Sequence, residues 1–598
     1  MRGVRSRKEL PNPRQLSLFD GNEGTVVKPL TRLSLESMRD GASIPRKYQE
    51  EMAKSALSTD IYGNVLSTLV VLPTGTGKTH IAAMVTGNRI AEGTVIFIVP
   101  TSPLVAQQSE YMLSQLKLGK NQIAAITGDR QNPSARAAIY SNKPKVIVGT
   151  SQSLSRDINS GRLSLDGVSM MIFDEAHHCV GEDAYRIIAR AAIEKNIPRL
   201  GLTASPGNNR ERILRVVENL GINNIAEYTK ESAEIRRYIP PMVYKRLDAR
   251  LPRIFLQIRT RLAELSYNAL AELGEMGMLV QYYGMPDNFH AVSGDVRSDV
   301  TPDDVYRFMK FGELDKLKKT ILAKKPKFQT TKKTPYHELP RESKIFMRAM
   351  SLHSELMFYY QLLNMFETQS IRVGLAYINR TLGLSPDSPK KDNASHADGA
   401  SNSAEREKTF KGRIRSSQSF MSMYNYLKDN INVLPENPKI ALFREVINKN
   451  PSKKMIIFTE YRDQARLLYE TAKSDGHSVS LLLGKSHGTT GKHQEAAINN
   501  FREGKSRILV STRAGQEGLD IPLSEMIVHY DISASAIAHI QRNGRGSRSD
   551  SCSVYYLVAL DTKDEYSYIS SMRAIVTMEN SLHSIRRGFN PDKGILRN

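Results

Sequence analysis

Cysteine is nearly absent from this 598-residue chain, which contains only Cys179 and Cys552. That excludes a disulfide framework or a cysteine-rich zinc site and fits a reducing compartment. Long apolar runs are missing too: none approaches the roughly 20 residues that a bilayer-spanning helix needs. The basic N-terminus, MRGVRSRKELPNPRQ, lacks the apolar stretch of a secretory signal. A cytoplasmic location is expected, on the nucleoid if the source is a bacterium or archaeon. Acidic residues fall short of basic ones, 62 against 84, leaving a net charge of +22 and a pI near 9.7. Such an excess suits a polyanionic partner, because each neutralised phosphate releases condensed counterions.

What is present has a repeating texture. From Ile44 to about Glu227, β-rich apolar runs (STLVVLP, GTVIFIVP, PKVIVGT, VSMMIFDE, PRLGLTAS) alternate with helical stretches. Several runs end in turn or phosphate-binding signals, as expected of a parallel sheet covered by helices. From about Glu436 the alternation returns in KKMIIFTE, HSVSLLLG, SRILVST, EMIVHY and SVYYLVAL. Between them lie long segments rich in Leu, Met, Lys and Glu that read as helical. Within these, residues 385–407 are almost free of large apolar side chains and read as a mobile linker. The expected fold is α/β: two RecA-like parallel-sheet domains with a helical insertion. The boundaries read as a disordered basic tail over 1–40, a first domain over 41–228, the insertion over 229–435, a second domain over 436–580 and a tail over 581–598.

The strand ending in VVLP runs straight into Thr74-Gly75-Thr76-Gly77-Lys78-Thr79 and then a helix. Glycines let such a loop curl until its backbone N–H groups converge on a polyphosphate. Lys78 then reaches the β- and γ-phosphates, and the Thr79 hydroxyl can ligate Mg²⁺. The general pattern wants glycine where this chain has Leu72, a departure from the ideal loop. Asp174-Glu175-Ala176-His177 follows the apolar run MMIF. A carboxylate at that strand end lies beside the phosphate loop, so Asp174 suits Mg²⁺ and Glu175 suits orienting and deprotonating the attacking water. His177, His178 and Cys179 are adjacent and cannot all point at one ion, so Mg²⁺ is the only metal expected and Cys179 reads as packing. In the second unit, QRNGRGSR places Arg542, Arg545 and Arg548 at three-residue intervals, on one face if the segment is helical. Guanidinium groups aimed at a γ-phosphate contribute roughly a thousandfold or more in arginine-finger enzymes.

Together these segments resemble the superfamily 2 helicases over roughly residues 44–575. Pro45 to Gln49 is similar to the adenine-reading Q-motif, with Gln49 as its amide. LPTGTGKT resembles motif I, DEAH motif II, and Thr203-Ala204-Ser205 motif III; the resemblance gives His177, Thr203 and Ser205 a coupling role. The segments around Thr101 and Thr150 look like strand-contacting motifs Ia and Ib, and FTEYR, with Tyr461 and Arg462, looks like motif IV. STRAGQEGLDIP, with Thr512, resembles motif V, and its Gly518 and Asp520 are assigned to the far side of the nucleotide. QRNGRGSR resembles motif VI, which implies catalytic roles for Gln541, Arg545 and Arg548. Within the superfamily the likeness is to the archaeal Hef and eukaryotic FANCM/Mph branch, through LPTGTGKTHIAA, FDEAHHCVGEDAY, LGLTASPG, FTEYRDQA and QEGLDIP. It implies an ATP- and Mg²⁺-dependent motor moving 3′ to 5′ on DNA and remodelling forks, flaps and junctions. The nuclease and helix-hairpin-helix modules of full-length Hef have no counterpart here, so cleavage is not expected.

The insertion sits where that branch carries a thumb-like, DNA-gripping domain. Its residues 301–350 hold thirteen Lys/Arg against six Asp/Glu, with Phe308, Phe311, Phe328 and Tyr336 among them. The charges read as phosphate-tracking and the aromatics as core, although stacking on an opened base remains the alternative. Gln15-Leu16-Ser17-Leu18-Phe19 looks like the peptide by which bacterial proteins dock on the replication sliding clamp. Leu16, Leu18 and Phe19 would fill its apolar pocket with Gln15 supplying hydrogen bonds, or else the segment packs on the motor itself. Two rival functions stand beside a DNA helicase. One is an RNA-directed motor, since Dicer-like and RNA-sensing helicases also carry a helical insertion. The other is a nucleotide-gated clamp that binds branched DNA without unwinding it.

Overall fold

Strands apolar along their whole length must be covered on both faces, and the computed structural model shows how this chain does so. It describes residues 27–181, 183–207, 209–230, 232–239, 241–278, 301–310, 313–325, 339–384, 409–484, 491–512, 521–546, 551–587, 589–590 and 594–595. Seven strands form the first sheet: β1 (Thr68–Val71), β2 (Thr94–Val99), β3 (Ile123–Ile126), β4 (Val146–Thr150), β5 (Val168–Phe173), β6 (Arg199–Thr203) and β7 (Asn224–Glu227). They pair in parallel in the order β3-β4-β2-β5-β6-β1-β7. Two apolar layers cover it. One holds Tyr48, Ile81, Phe97 and Val148, the other Ile96, Phe173, Cys179 and Val216. Cys179 is thus a core residue.

A second all-parallel sheet contains β8 (Met242–Ala249), β9 (Met455–Phe458), β10 (Val479–Leu482), β11 (Ile508–Ser511), β12 (Met526–His529) and β13 (Cys552–Ala559), in the order β10-β11-β9-β12-β13-β8. Between β8 and the helix Pro438–Lys449 the chain leaves this sheet to build a helical domain with its own core, including Phe255, Leu262, Phe308, Leu356, Phe366 and Phe420. The expected α/β fold with two sheets and a helical insertion is present.

Three expected boundaries need correction. The segment 229–435 is not wholly insertion: Ile235 packs in the core of the first lobe and β8 is an edge strand of the second sheet. The insertion is therefore an excursion from the second lobe. β8 was hard to see because an edge strand tolerates charge, and Tyr244, Lys245 and Arg246 lie on its exposed stretch. Nor is all of 1–40 a loose tail. Leu33 is buried in the first lobe, Met38 bridges to Leu116, and Arg39 Nη2 donates to Leu118 O at 2.9 Å. At the other end, the helix Lys563–Arg587 runs through the expected boundary at 580. Its Tyr568 and Met572 pack on the second lobe, whereas Met578, Leu582 and Ile585 are buried in the core of the first. One helix clasps both lobes.

Beneath the helix Ala536–Asn543, His529 stacks on Tyr556 at 4.6 Å between centroids and on His539 at 5.1 Å. His529 Nε2 bonds Asn543 Oδ1 at 2.8 Å and His539 Nε2 bonds Ser533 O at 2.7 Å. Burial lowers both imidazoles, that of His539 from the ordinary value near 6.5 to about 4. The unfolded chain therefore takes up protons below about pH 6.5 that the folded lobe refuses, so stability is full above that pH and is lost as pH falls towards 4. A fall in the thermal midpoint between about pH 7 and 5 is expected, measured by calorimetry, and His539→Gln should flatten it. Parallel pH profiles for the two proteins would count against this origin.

Candidate nucleotide and nucleic-acid sites

In a doubly wound parallel sheet, helix N-termini gather beyond the C-terminal strand edges, where ligands bind. The loop after β1 shows why glycine is required there. Gly75 has φ +79° and Gly77 φ +86°. A Cβ on Gly77 would stand 2.4 Å from Gln49 Nε2. The loop turns directly into the helix Lys78–Arg89, whose first N–H groups form an anion cradle. Tyr48 OH and Gln49 Nε2 donate to Thr76 O at 2.6 and 2.9 Å, and Arg46 N donates to Gln49 Oε1 at 2.8 Å. Both ends of the Gln49 amide are committed to the chain, so in this geometry Gln49 braces the loop. Thr76 Oγ1 donates to Pro73 O at 2.7 Å. Lys78 Nζ donates to Leu72 O at 3.3 Å, so the residue departing from the glycine pattern serves through its backbone.

Asp174 follows β5. Its carbonyl accepts Tyr185 OH at 3.0 Å and its Oδ1 accepts Glu175 N at 3.0 Å. Burial, reinforced by the Glu175 charge, pushes its carboxyl up to about 7 against the pull of Lys78. Glu175 has a left-handed backbone, φ +47° and ψ 52°, which costs a non-glycine residue about 1–2 kcal/mol and recurs at functional sites. His177 Nδ1 lies 3.3 Å from Glu175 Oε2 and 3.2 Å from Thr203 Oγ1, and Thr203 Oγ1 accepts Ser205 N at 3.1 Å. The three residues expected to couple are thus joined to Glu175 by short contacts. Thr79 Oγ1 lies 3.4 Å from Gln108 Nε2, a buried amide on the helix Ser102–Gln115. Thr79 and Asp174 carry hard oxygen atoms of the kind that fit Mg²⁺, and a buried Asp174 carboxylate would be eased by a cation.

The residues expected to contact the strand form two sets. Thr101 and Thr150 are the N-cap residues of the helices Ser102–Gln115 and Ser151–Asn159, beyond the neighbouring strands β2 and β4. Tyr461 caps the helix Arg462–Ser474 after β9, and Thr512 follows the adjacent β11. Arg462 Nη1 donates to Gly484 O at 2.8 Å and Thr512 Oγ1 accepts Gly484 N at 3.3 Å. Each lobe therefore sets helix N-termini along one sheet edge, an arrangement that suits phosphates, while the Thr101 hydroxyl is buried and that of Thr150 donates to Ser153 Oγ at 2.9 Å.

The lobes meet where motif VI touches the phosphate loop. A Cβ on Gly544 would lie 2.1 Å from Thr74 Oγ1 and 2.5 Å from its Cβ, and Ile540 packs on the core of the first lobe. Gln541 is buried beside Ile540, and Arg545 is the residue after Gly544. The arginine run is not one helical face, however, because the helix stops at Asn543. Arg542 is fully buried, donates to Asp531 O at 2.8 Å and lies over Phe458. Arg548, Gly518, Asp520 and the peptide Gln15, Leu16, Leu18 and Phe19 lie outside the described residues, as do Phe311, Phe328 and Tyr336. Phe308 is fully buried, in keeping with a core role. Sequence reasoning assigned no part to Tyr48, Gln108, Tyr185 or Gly544. All four stand within or beside the matched segments (Pro45 to Gln49, the segment around Thr101, FDEAHHCVGEDAY and QRNGRGSR), but only contacts reveal their work.

Two family models match the chain: the res subunit of type III restriction enzymes over residues 43–208, and the helicase conserved C-terminal domain over 438–550. The crystal structure of the Pyrococcus furiosus Hef helicase domain superposes with a TM-score of 0.55 and 29% identity, covering 88% of this chain and 98% of that one. The chain is a superfamily 2 helicase. This helicase is related to the Hef/FANCM/Mph1 branch. The ATP-dependent DNA helicase MPH1 of Pyricularia oryzae is 27% identical over 552 residues, 88% of this chain and 44% of that protein. A Methanocaldococcus jannaschii protein with a provisional ATP-dependent RNA helicase name is 28% identical over 537 residues, 88% of this chain and 59% of that protein. The helicase thus spans about half the length of these curated relatives. Among the described residues, no helix is long and apolar enough to cross a membrane.

Gly544→Ala tests the seam. The backbone there (φ −64°) accepts alanine, so each lobe should fold, but the added methyl must displace Thr74. Steady-state ATPase turnover is expected to fall roughly 100-fold, as for displacements of about 1 Å in other active sites, with the thermal midpoint nearly unchanged. Turnover equal to the unmodified protein would show that the lobes do not need this contact.

Proposed function

We propose that this helicase is a DNA motor that hydrolyses ATP with Mg²⁺ in the seam between its lobes and translocates, 3′ to 5′, to remodel forked or branched DNA. The observation carrying this reading is the seat of Gly544 on Thr74, which sets the motif VI segment against the phosphate loop. Lys78 and the loop amides hold the phosphates; Thr79 and Asp174 hold Mg²⁺, which supplies charge neutralisation when bound. Glu175 orients and deprotonates the attacking water, helped by Gln541. Arg545 and Arg548 stabilise charge on the phosphoryl group in flight. Gly518 and Asp520 contact the far side of the nucleotide, and Gln49 meets the base once its amide is released from the loop. His177, Thr203 and Ser205 pass the state of the phosphate end to the strand-binding edge. Thr101, Thr150, Tyr461, Arg462 and Thr512 grip phosphates of one strand, which gives selectivity for structure rather than sequence.

DNA is favoured over RNA by the Hef likeness and by the DNA-helicase name of MPH1. The RNA-helicase name of the Methanocaldococcus relative supports the second reading, an RNA-directed motor. The net charge of +22 serves either polymer. Lys78→Ala and Glu175→Gln should each lower nucleic-acid-stimulated ATPase by roughly 100-fold or more while leaving fork affinity within about twofold. Normal turnover in either would reject the assignment. Stimulation compared across forked DNA, single-stranded DNA and duplex RNA decides the substrate, with forked DNA expected to be strongest. Strand displacement on the fork separates a motor from a clamp.

A further inference from the structure

The insertion has a spine, the helix Arg341–Thr368, which packs against the helices Arg253–Glu275, Glu313–Ala323, Ile371–Leu382 and Phe410–Ser416. The spine ends at Gln369, in an elbow bolted to the second lobe. Tyr530 OH donates to Gln369 O at 3.4 Å and Asn437 Nδ2 donates to Glu367 O at 2.9 Å. Arg259 pairs with Glu367 at 2.5 Å and also donates to Asp561 O at 3.1 Å. Gln369 is 1% exposed, and its Nε2 donates to Asp531 Oδ1 as well as to Thr368 Oγ1.

Asp531 gives each of its other oxygens to a different motif. Its Oδ2 accepts the Thr459 hydroxyl and Glu460 N (2.6 Å), directly before the expected strand contacts Tyr461 and Arg462. Its carbonyl accepts Arg542 Nη1 at 2.8 Å, and Arg542 lies between Gln541 and the Gly544 that seats on the phosphate loop. One residue therefore touches the insertion, the motif IV turn and the motif VI helix. Hydrogen bonds to a buried carboxylate are roughly twice as strong as neutral ones, so the junction transmits position rather than absorbing it. The joint can also be remade. Gln369 Oε1 is buried without a partner among the described residues, and a cavity of about 190 Å³ opens beside it, with Gln369, Glu460, Tyr461, Asp531, Ser533 and Lys563 in its lining.

We propose that Asp531 is a positioning residue for ATP hydrolysis and that its bond to Gln369 couples strand engagement by the insertion to the motif VI helix. This rests on the reading that the insertion grips nucleic acid. The test measures ATPase of the full chain with and without saturating forked DNA, together with fork affinity by fluorescence anisotropy. In Gln369→Ala, basal turnover should stay within about twofold and fork affinity likewise, while the stimulation factor falls about fivefold or more. In the double variant Gln369→Glu/Asp531→Asn, amide and carboxylate exchange sides, and stimulation should return relative to Gln369→Glu alone. Full stimulation in Gln369→Ala overturns the proposal. So does an equal loss of basal and stimulated rates without rescue in the exchanged pair, which is the mark of a merely structural contact. Absence of stimulation in the unmodified protein would instead overturn the proposed function, and this inference with it.

Discussion

The close approach of Gly544 to Thr74 is the constraint on which the rest of the molecule depends. Each lobe by itself is a covered parallel sheet with polar groups along its C-terminal edge. Only the first carries a phosphate loop, and only the second carries the arginine-rich segment. A site assembled from two bodies needs a place where the backbone of one closes on a short, stiff side chain of the other, because longer side chains reaching across a wider gap would bring conformational freedom with them. Glycine provides that place, since any side chain at 544 would stand inside Thr74.

Around that contact, polar groups are committed in a graded way. The phosphate loop is held from behind by Tyr48 and Gln49, and Asp174 is held through its carbonyl by Tyr185. At the Asp174–Glu175 end the groups are less at ease. Asp174 is buried with its carboxyl raised, and Glu175 sits in a left-handed backbone conformation. Local strain of this kind persists only where the surroundings over-determine it. The Glu175–His177–Thr203 contacts supply that determination and lead directly into β6, the strand next to β5.

The parts legible in the sequence were those whose physics is local. Gly75 and Gly77 need positive φ, β5 is apolar to its end, and Asp174 follows at once; each can be read within a few residues. The misreadings came from non-local causes. The spacing of Arg542, Arg545 and Arg548 fits one helical face, but the helix ends at Asn543, and Arg542 is claimed by Asp531 from another strand end. β8 carries charge because it lies at a sheet edge, which periodicity cannot report. Leu582 and Ile585 look like part of a polar tail until the first lobe, hundreds of residues away in sequence, is seen to bury them. The bond from Gln369 to Asp531 spans 162 residues and has no signature in either segment.

These non-local contacts bear on how the lobes can move. Since β8 enters the second sheet before the insertion begins, the insertion is tied to that lobe at both its ends, and the elbow at Gln369 is bolted to it as well. The insertion and second lobe should therefore move as one piece against the first. The helix Lys563–Arg587 limits that movement. Burying Met578, Leu582 and Ile585 is worth about 1.5–3 kcal/mol each relative to exposure, so peeling all three from the first lobe would cost several kcal/mol. A rotation about this helix, opening the Gly544–Thr74 seam while keeping the helix docked, avoids that cost. The clasp thus favours a swivel over a full separation of the lobes.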